Sequence, residues 1–156
     1  MDVPIDGVGR RSFIGAALAG AVVLPGGAPG AAEVQTAAER ANITLVTEFC
    51  ASWSTRDLDK IVPYLAGDSV YRMNETAQPA LGHAGVRERL GTWMQTSQQI
   101  EFRILEAYAK GPMVMTHRID RFVSTTRPLT WEGVGVFFVK DGRIKEWSDY
   151  TIKVDR

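Results

Sequence analysis

The sequence predicts an α+β fold in which a curved, mixed but mostly antiparallel sheet wraps over helices. Helical periodicity dominates the first half of the 156-residue chain, strand-like segments cluster in the second half, and turn motifs separate those late strands. A doubly wound parallel sheet would instead alternate strands and helices along the whole chain. A curved sheet over helices encloses one mostly apolar pocket, an arrangement that both enzymes and binding proteins use.

The composition narrows the chemistry. Hydrophobic residues make up 45% and charged residues 23%, which is typical of one globular domain. Eighteen basic residues balance eighteen acidic ones, so no net field attracts nucleic acid. Cys50 is the only cysteine and His83 and His117 are the only histidines, which leaves no soft-ligand zinc cluster. We therefore expect no metal, no cofactor and no nucleic-acid partner, with chemistry based on carboxylates, hydroxyls and arginines.

Residues 1–32 are predicted to be a twin-arginine-type signal peptide, and residues 33–156 the mature domain. Arg10 and Arg11 precede a weakly apolar run that is shorter than the roughly 20 residues needed to span a bilayer. Proline, glycine and alanine residues follow and suit a cleavage site. We expect an exported protein, periplasmic or secreted, with no membrane segment in its mature form. A disordered tail or a retained anchor is the alternative, and the protein is cytoplasmic if the leader does not function.

Three helices are predicted, over residues 34–53, 57–65 and 83–96, with a strand at 69–73 and a loop at 75–82 between the last two. The first helix has the clearest pattern, because its apolar residues recur at intervals of three and four. These residues are Ala37, Ala38, Ala41, Leu45, Val46, Phe49 and Trp53. Cys50 is expected in the core of the same helix.

Four strands are predicted to follow, over residues 100–109, 113–123, 129–139 and 143–154. Turn-forming residues separate them, and the Asp-Gly pair at 141–142 is a strong signal for a short hairpin. Consecutive strands with short connections favour antiparallel pairing.

Alternation along two of these strands identifies candidate functional residues. Arg118 and Asp120 share one face of their strand, and Trp147 and Asp149 share one face of the last strand. Charged groups on the concave face of a sheet are costly unless they are paired or functional. The alternatives are a structural salt bridge or a register in which one of the charges faces solvent.

Several motifs resemble those of the limonene-1,2-epoxide hydrolases, which belong to the nuclear transport factor 2-like and polyketide cyclase-like superfamily. Arg118-Ile119-Asp120 resembles their Arg-x-Asp strand, and Trp147-Ser148-Asp149-Tyr150 resembles their Trp-x-Asp-Tyr strand. Between them, Gly135-Val136-Phe137 and the turn Asp141-Gly142-Arg143-Ile144 have the family's spacing. The resemblance covers residues 39–150 and implies a cone-shaped fold like that of ketosteroid isomerase.

The resemblance also implies an activity: direct addition of water to a hydrophobic epoxide, terpene-like or cycloalkene-derived, to give a vicinal diol. Asp149 would be the general base, Asp120 the general acid, and Arg118 the bridge that keeps the two in opposite protonation states. A like-charged pair with an arginine between its members can separate the two titrations in this way. No covalent intermediate and no cofactor are needed.

In the resemblance, a tyrosine and an asparagine hold the nucleophilic water. Tyr71 matches the tyrosine, but Met73 occupies the place of the asparagine, and Asn74 is the nearest substitute. A flat strand would turn Asn74 away from Tyr71, so either a bulge restores it or the water loses one partner.

The remaining expectations concern the pocket, assembly and rival functions. Large apolar side chains should form the substrate-binding wall, namely Trp147, Phe122 and Trp131, with Leu90 and Met94 from the third helix. The resemblance suggests a homodimer through the exposed side of the sheet. The rival functions are a ketosteroid isomerase or polyketide cyclase-like enzyme, which needs only one base, and a non-catalytic module that binds a small ligand.

Overall fold

The computed structural model describes residues 34–124 and 128–155. The predicted signal peptide, residues 1–32, lies outside these residues, so its role stays a prediction. Within the described part of the chain, no helix is both long enough and apolar enough to cross a membrane.

The first helix, α1, spans Ala37–Ser52 and confirms the prediction, although it begins three residues later than expected. A capping box starts it: the Thr36 hydroxyl accepts from the Glu39 amide at 3.2 Å, and the Glu39 carboxylate accepts from the Thr36 amide at 2.8 Å. A 3₁₀ turn, Trp53–Thr55, continues from its end. The buried face of α1 includes Phe49 and Cys50, as its periodicity indicated.

The second predicted helix is not continuous. A single turn, α2 (Leu58–Ile61), is capped by Asp57 and gives way to a 3₁₀ turn at Val62–Tyr64. Pro63 lies in that second turn, and its ring nitrogen has no hydrogen to extend an α-helical ladder. The third helix, α3, spans Gly82–Thr96 as predicted.

Six strands form one sheet in the order β2-β1-β6-β5-β4-β3. The pairing of β1 with β6 is parallel and every other pairing is antiparallel, which confirms the predicted mixed sheet. The two-residue β2 falls inside the predicted loop and is too short to show a periodic pattern. The strands are β1 Leu65–Arg72, β2 Ala80–Leu81, β3 Ser97–Lys110, β4 Met113–Ser124, β5 Pro128–Lys140 and β6 Arg143–Asp155.

Register shifts bend the long strands. They occur at two places in the β3–β4 pairing and at two in the β5–β6 pairing. Such irregularities bend a strand and increase its twist. The curved sheet encloses the core with α1, which packs against β3, and α3, which packs against β1.

An aromatic cluster fills the core between α1 and the sheet. Phe49 has no exposed surface, and its ring centroid lies 5.0 Å from that of Trp147, 5.9 Å from Trp53 and 6.1 Å from both Tyr64 and Phe137. These edge-to-face contacts fix the distance between α1 and the sheet.

The opposite face of the sheet carries exposed apolar side chains, including Tyr108, Met115, Phe138 and Tyr150. The predicted homodimer would form through this face, and it stays a prediction.

Replacing Phe49 with alanine should destabilise the domain by about 3–5 kcal/mol, because the change removes a fully buried ring and leaves a cavity. Urea unfolding followed by circular dichroism measures this loss. Leu105→Ala is the control: Leu105 is 43% exposed, so its loss should cost less than about 0.5 kcal/mol. Equal losses for the two variants would contradict the packing described here.

Candidate active site

The β4 strand directs polar side chains into the concave side of the sheet. Thr116, Arg118 and Asp120 alternate with the partly exposed His117 and Ile119, as the period of two predicted. Arg118 is 1% exposed and Asp120 is 2% exposed. Both charged groups therefore lie inside the core, where isolated charges are unfavourable.

Arg118 reaches across the neighbouring strand β5 to Asp149 on β6. Gly135 of β5 pairs with Thr116 on one side and with Asp149 on the other. A Cβ atom at Gly135 would lie 2.1 Å from Nη1 of Arg118, so a side chain at that position would collide with the guanidinium. The glycine thus opens a path for the arginine over the strand.

The guanidinium binds both carboxylates. Its Nε donates to the two oxygens of Asp120 at 3.0 Å each, and its Nη2 donates to Oδ1 of Asp149 at 2.7 Å. The structure therefore brings together three of the five predicted catalytic residues, Arg118, Asp120 and Asp149, which come from two strands that β5 separates.

Aromatic rings surround the guanidinium. Its Cζ lies 5.0 Å from the ring centroids of both Phe102 and Trp131, and about 6 Å from those of Phe137 and Trp147. The Trp131 ring folds back over Gly133, where a Cβ would lie 2.2 Å from the indole. These ring contacts favour the positive charge while excluding water from it.

Burial shifts the pKa values of Arg118, Asp120 and Asp149. It raises the pKa of Asp120 to about 7; Arg118 opposes this rise and Asp149 adds to it. Burial also raises the pKa of Asp149, against the hydrogen bonds from Arg118 and Trp147. Burial alone would lower the pKa of Arg118, but Asp149 and Asp120 outweigh it and hold this pKa above its usual value. The arginine stays charged, and Asp120, whose pKa is about 7, exchanges its proton near neutral pH.

Trp147 supports Asp149 and does not line the pocket. Its Nε1 donates to Oδ1 of Asp149 at 2.8 Å, so this oxygen accepts two hydrogen bonds. The Trp147 ring is 1% exposed and stacks between Tyr71 and Phe137, at centroid distances of 3.9 and 5.8 Å. The structure thus corrects the predicted substrate-binding role of Trp147, because these stacked neighbours hold its ring behind the wall.

A cavity of about 330 Å³ lies against the carboxyl groups. Phe122, Trp131 and Leu90 line it as predicted, whereas Met94 is buried in the core away from it. Asp120 and Asp149 both contribute to the lining. Six aromatic residues form much of the wall: Trp53, Tyr71, Trp93, Phe102, Phe122 and Trp131. This volume lies at the small end for ligand pockets and suits a compact, mostly apolar molecule.

Tyr71 and Asn74 both line the cavity. Asn74 follows β1 in a turn, where its Oδ1 accepts from the amides of Thr76 at 3.1 Å and Ala77 at 2.8 Å. This turn, and not the bulge considered from the sequence, brings Asn74 to the cavity. Burial, together with the charge of Asp149, raises the pKa of Tyr71 well above its ordinary value, so its hydroxyl keeps its proton.

Two contacts at the cavity involve residues that sequence reasoning did not single out. The backbone amide of Thr151 donates to Glu75 at 2.8 Å, next to Asn74 in sequence. The Thr151 hydroxyl accepts from Nε1 of Trp131 at 3.0 Å. Through these two hydrogen bonds, Thr151 links the turn that contains Asn74 to Trp131 in the aromatic wall.

Phe102, Trp93 and Trp53 were also missed as cavity residues. Phe102 pairs with Asp120 across β3 and β4, a neighbour that alternation could have indicated once the register was known. Trp53 was predicted only as a core residue of the first helix, since helical spacing does not distinguish a core face from a pocket wall.

The histidines lie outside the cluster. His83 contacts the backbone carbonyl oxygen of Leu65 at 3.0 Å, and His117 contacts Glu132 at 2.9 Å on the other face of the sheet. Among residues 34–124 and 128–155, no three His, Cys, Asp or Glu side chains converge as metal ligands.

The fold and the site together define a small α+β domain with a buried acid/base centre at an apolar cavity. Residues 46–147 match the family of SnoaL-like domains, and the chain belongs to that family. The predicted superfamily is thereby confirmed at the level of the SnoaL-like family.

Solved structures resemble this fold. An LEH-like epoxide hydrolase of M. tuberculosis is 27% identical with a TM-score of 0.61, and the match covers 73% of this chain and 84% of that one. A proposed polyketide cyclase of Xanthomonas campestris pv. campestris is 19% identical with a TM-score of 0.64, covering 72% and 90%. An NTF2-like protein of unknown function from Burkholderia pseudomallei K96243 is 18% identical with a TM-score of 0.63, covering 71% and 90%. The last two show the shared fold alone.

Replacing Gly135 with alanine should displace the Arg118 guanidinium and lower kcat/KM by about 100-fold or more, since small misplacements of catalytic groups have effects of this size. Steady-state kinetics on the substrate found for the wild type measures the loss. Gly67→Ala is the matched strand control, because a Cβ at Gly67 meets no atom within 4 Å. Full activity of the Gly135 variant would show that the arginine does not need this path.

Proposed function

We propose that this protein is an epoxide hydrolase that adds water directly to a small hydrophobic epoxide and releases a vicinal diol. The observation that carries the proposal is the buried pair of carboxyl groups, Asp120 and Asp149, held by one guanidinium at the edge of an apolar cavity. The likeness to an LEH-like epoxide hydrolase at 27% identity supports it.

The hydrogen bonds of the two carboxyl groups support different roles for them. Oδ1 of Asp149 accepts from Arg118 and Trp147, whereas Oδ2 accepts from no described residue and remains available to a water molecule. Burial raises the pKa of Asp149, and these two donors act against that rise and so favour its ionised form. Among the described residues, Asp120 receives hydrogen bonds from Arg118 Nε only, and its pKa of about 7 lets it hold a proton at neutral pH. These contacts support Asp149 as the base and Asp120 as the acid.

The reaction then needs one step. Oδ2 of Asp149 takes a proton from water while the water oxygen bonds to one ring carbon. The bond from that carbon to the ring oxygen breaks, and Asp120 gives its proton to this oxygen, which becomes the second hydroxyl. The Tyr71 hydroxyl and the Asn74 amide nitrogen are the groups available to orient the water. The two carboxyl groups recover their starting states by proton exchange before the next turnover.

Asp120→Asn and Asp149→Asn should each lower kcat/KM on epoxides by about 10²- to 10⁴-fold, because each removes a proton transfer at the transition state. Diol formation from a panel of terpene and cyclohexene epoxides in ¹⁸O-labelled water measures the activity. Asp68→Asn is the control, since the Asp68 side chain is 81% exposed and pairs with Lys145, away from the cavity.

The outcomes separate the proposal from its rivals. Full activity of Asp120→Asn would indicate a single-base enzyme, as in the isomerase and cyclase alternative. Absence of diol across the panel with wild-type protein would favour a binding module.

The pH dependence gives an independent test. Activity should fall above about pH 7, because Asp120 must be protonated to act as the acid and its pKa is about 7. Trp147→Phe removes a hydrogen bond that lowers the pKa of Asp149. The acidic limb of the kcat/KM profile should therefore move to higher pH. Trp131→Phe is the control, because its indole binds Thr151 and not a carboxylate; an equal shift in both variants would contradict the assigned role of Trp147.

A further inference from the structure

Trp53 carries a buried hydrogen-bond donor that the fold leaves without an acceptor. Among the described side chains, its Nε1 and the Ser69 hydroxyl are the buried polar atoms that lack a partner. The indole nitrogens of Trp131 and Trp147 donate to Thr151 at 3.0 Å and to Asp149 at 2.8 Å. Buried donors are almost always bonded in folded proteins, because an unmet donor loses its hydrogen bonds to water without replacement.

The two unpartnered groups differ in position. Trp53 lines the cavity beside the carboxyl groups, whereas Ser69 does not. A phenylalanine would keep most of the aromatic contacts of Trp53 with no unmet donor, so the indole N–H is a cost that packing does not require.

Trp53 occupies a different part of the wall from the Asp–Arg–Asp cluster. Its ring stacks on Phe102 with centroids 4.7 Å apart, and the Phe102 ring in turn lies 5.0 Å from Cζ of Arg118. Among the described residues, no hydrogen bond links Trp53 to Arg118 or to either carboxyl group. Because the Phe102 ring contacts both Trp53 and Arg118, we assign the ligand oxygen at Trp53 to a different atom from the epoxide oxygen at Asp120.

We propose that Trp53 is a specificity-determining residue and that the substrate is a compact hydrophobic epoxide with a second hydrogen-bond acceptor away from its ring oxygen. An ether, carbonyl or hydroxyl oxygen has the required chemistry. The assignment of an epoxide rests on the proposed function, whereas the acceptor at Trp53 rests on the unpartnered indole.

Trp53 is 1% exposed although it lines the cavity. Phe102 and Trp93 are partly buried rings of the same wall that contact it. A ligand oxygen would give the indole N–H the hydrogen bond that the fold does not supply. Such a site binds a substrate that has the acceptor more tightly than one that lacks it.

A matched pair of substrates tests the proposal: 4-methoxy-1,2-epoxycyclohexane and 4-ethyl-1,2-epoxycyclohexane, which differ by one oxygen in place of a methylene group. The ratio of kcat/KM for the ether to that for the alkyl compound should fall about 3- to 10-fold in Trp53→Phe, the worth of one hydrogen bond. The change should appear mainly in KM, because the contact is remote from the reacting atoms. Trp93→Phe should alter both substrates alike and leave the ratio unchanged, since the Trp93 nitrogen is not among the buried unpartnered atoms.

A direct measurement uses the ¹H–¹⁵N signals of the four indoles in wild-type protein. Cyclohexanone should shift the Trp53 signal downfield and slow its hydrogen exchange, whereas methylenecyclohexane should not. Trp53→Phe assigns the signal by its disappearance. This test needs no turnover and no variant that binds ligand.

The two proposals fail in different ways. If no epoxide is hydrolysed but cyclohexanone moves the Trp53 signal, the hydrolase proposal is wrong and the acceptor site stands. If both epoxides are hydrolysed with a ratio that Trp53→Phe leaves unchanged, the acceptor site is wrong and the hydrolase proposal stands. An equal shift of the signal with both cyclic ligands also overturns the acceptor site.

Discussion

The buried guanidinium of Arg118 is the interaction on which the rest of this site depends. Either carboxyl group would be strongly disfavoured as an anion in this part of the core, and the arginine would be equally disfavoured without them. Together they form a network of hydrogen bonds with donor–acceptor distances of 2.7–3.0 Å. A well-packed apolar cluster is often as stable as a buried ion network, so the retention of three charges points to chemistry more than to stability.

The strands and rings around Arg118 are arranged so that its guanidinium can reach both carboxyl groups. The arginine lies over β5 because Gly135 offers no Cβ, and the Trp131 ring folds over Gly133 beside it. Register shifts curve the sheet, and residues of β3, β4, β5 and β6 line the mostly apolar cavity. In such surroundings hydrogen bonds and charges act more strongly than in water, so one carboxyl group can stay protonated beside another that is ionised.

The SnoaL-like fold supports varied chemistry, because the activity of each protein depends on the side chains that line the cavity. A single-base enzyme with this fold needs one carboxylate or histidine, whereas this chain has two carboxyl groups, Asp120 and Asp149, bound to different nitrogens of Arg118. Trp147 holds one oxygen of Asp149 and leaves the other open. The unpartnered indole nitrogen of Trp53, in the 3₁₀ turn after α1, is a further polar group among the aromatic residues of the wall.

The sequence by itself determined the fold class, most of the elements and the identity of the central trio. Periods of 3.6 and 2 placed α1 and the long strands, alternation put Arg118 and Asp120 on one face, and two spaced motifs added Asp149. The tertiary structure decided which neighbours these residues have. It buried Trp147 next to Asp149 and outside the cavity lining, and it brought Asn74 to the cavity through a turn. It also left the indole nitrogen of Trp53 without a hydrogen-bond acceptor. Periodicity assigns a face to each residue, but cross-strand register and side-chain packing arise only when distant segments meet.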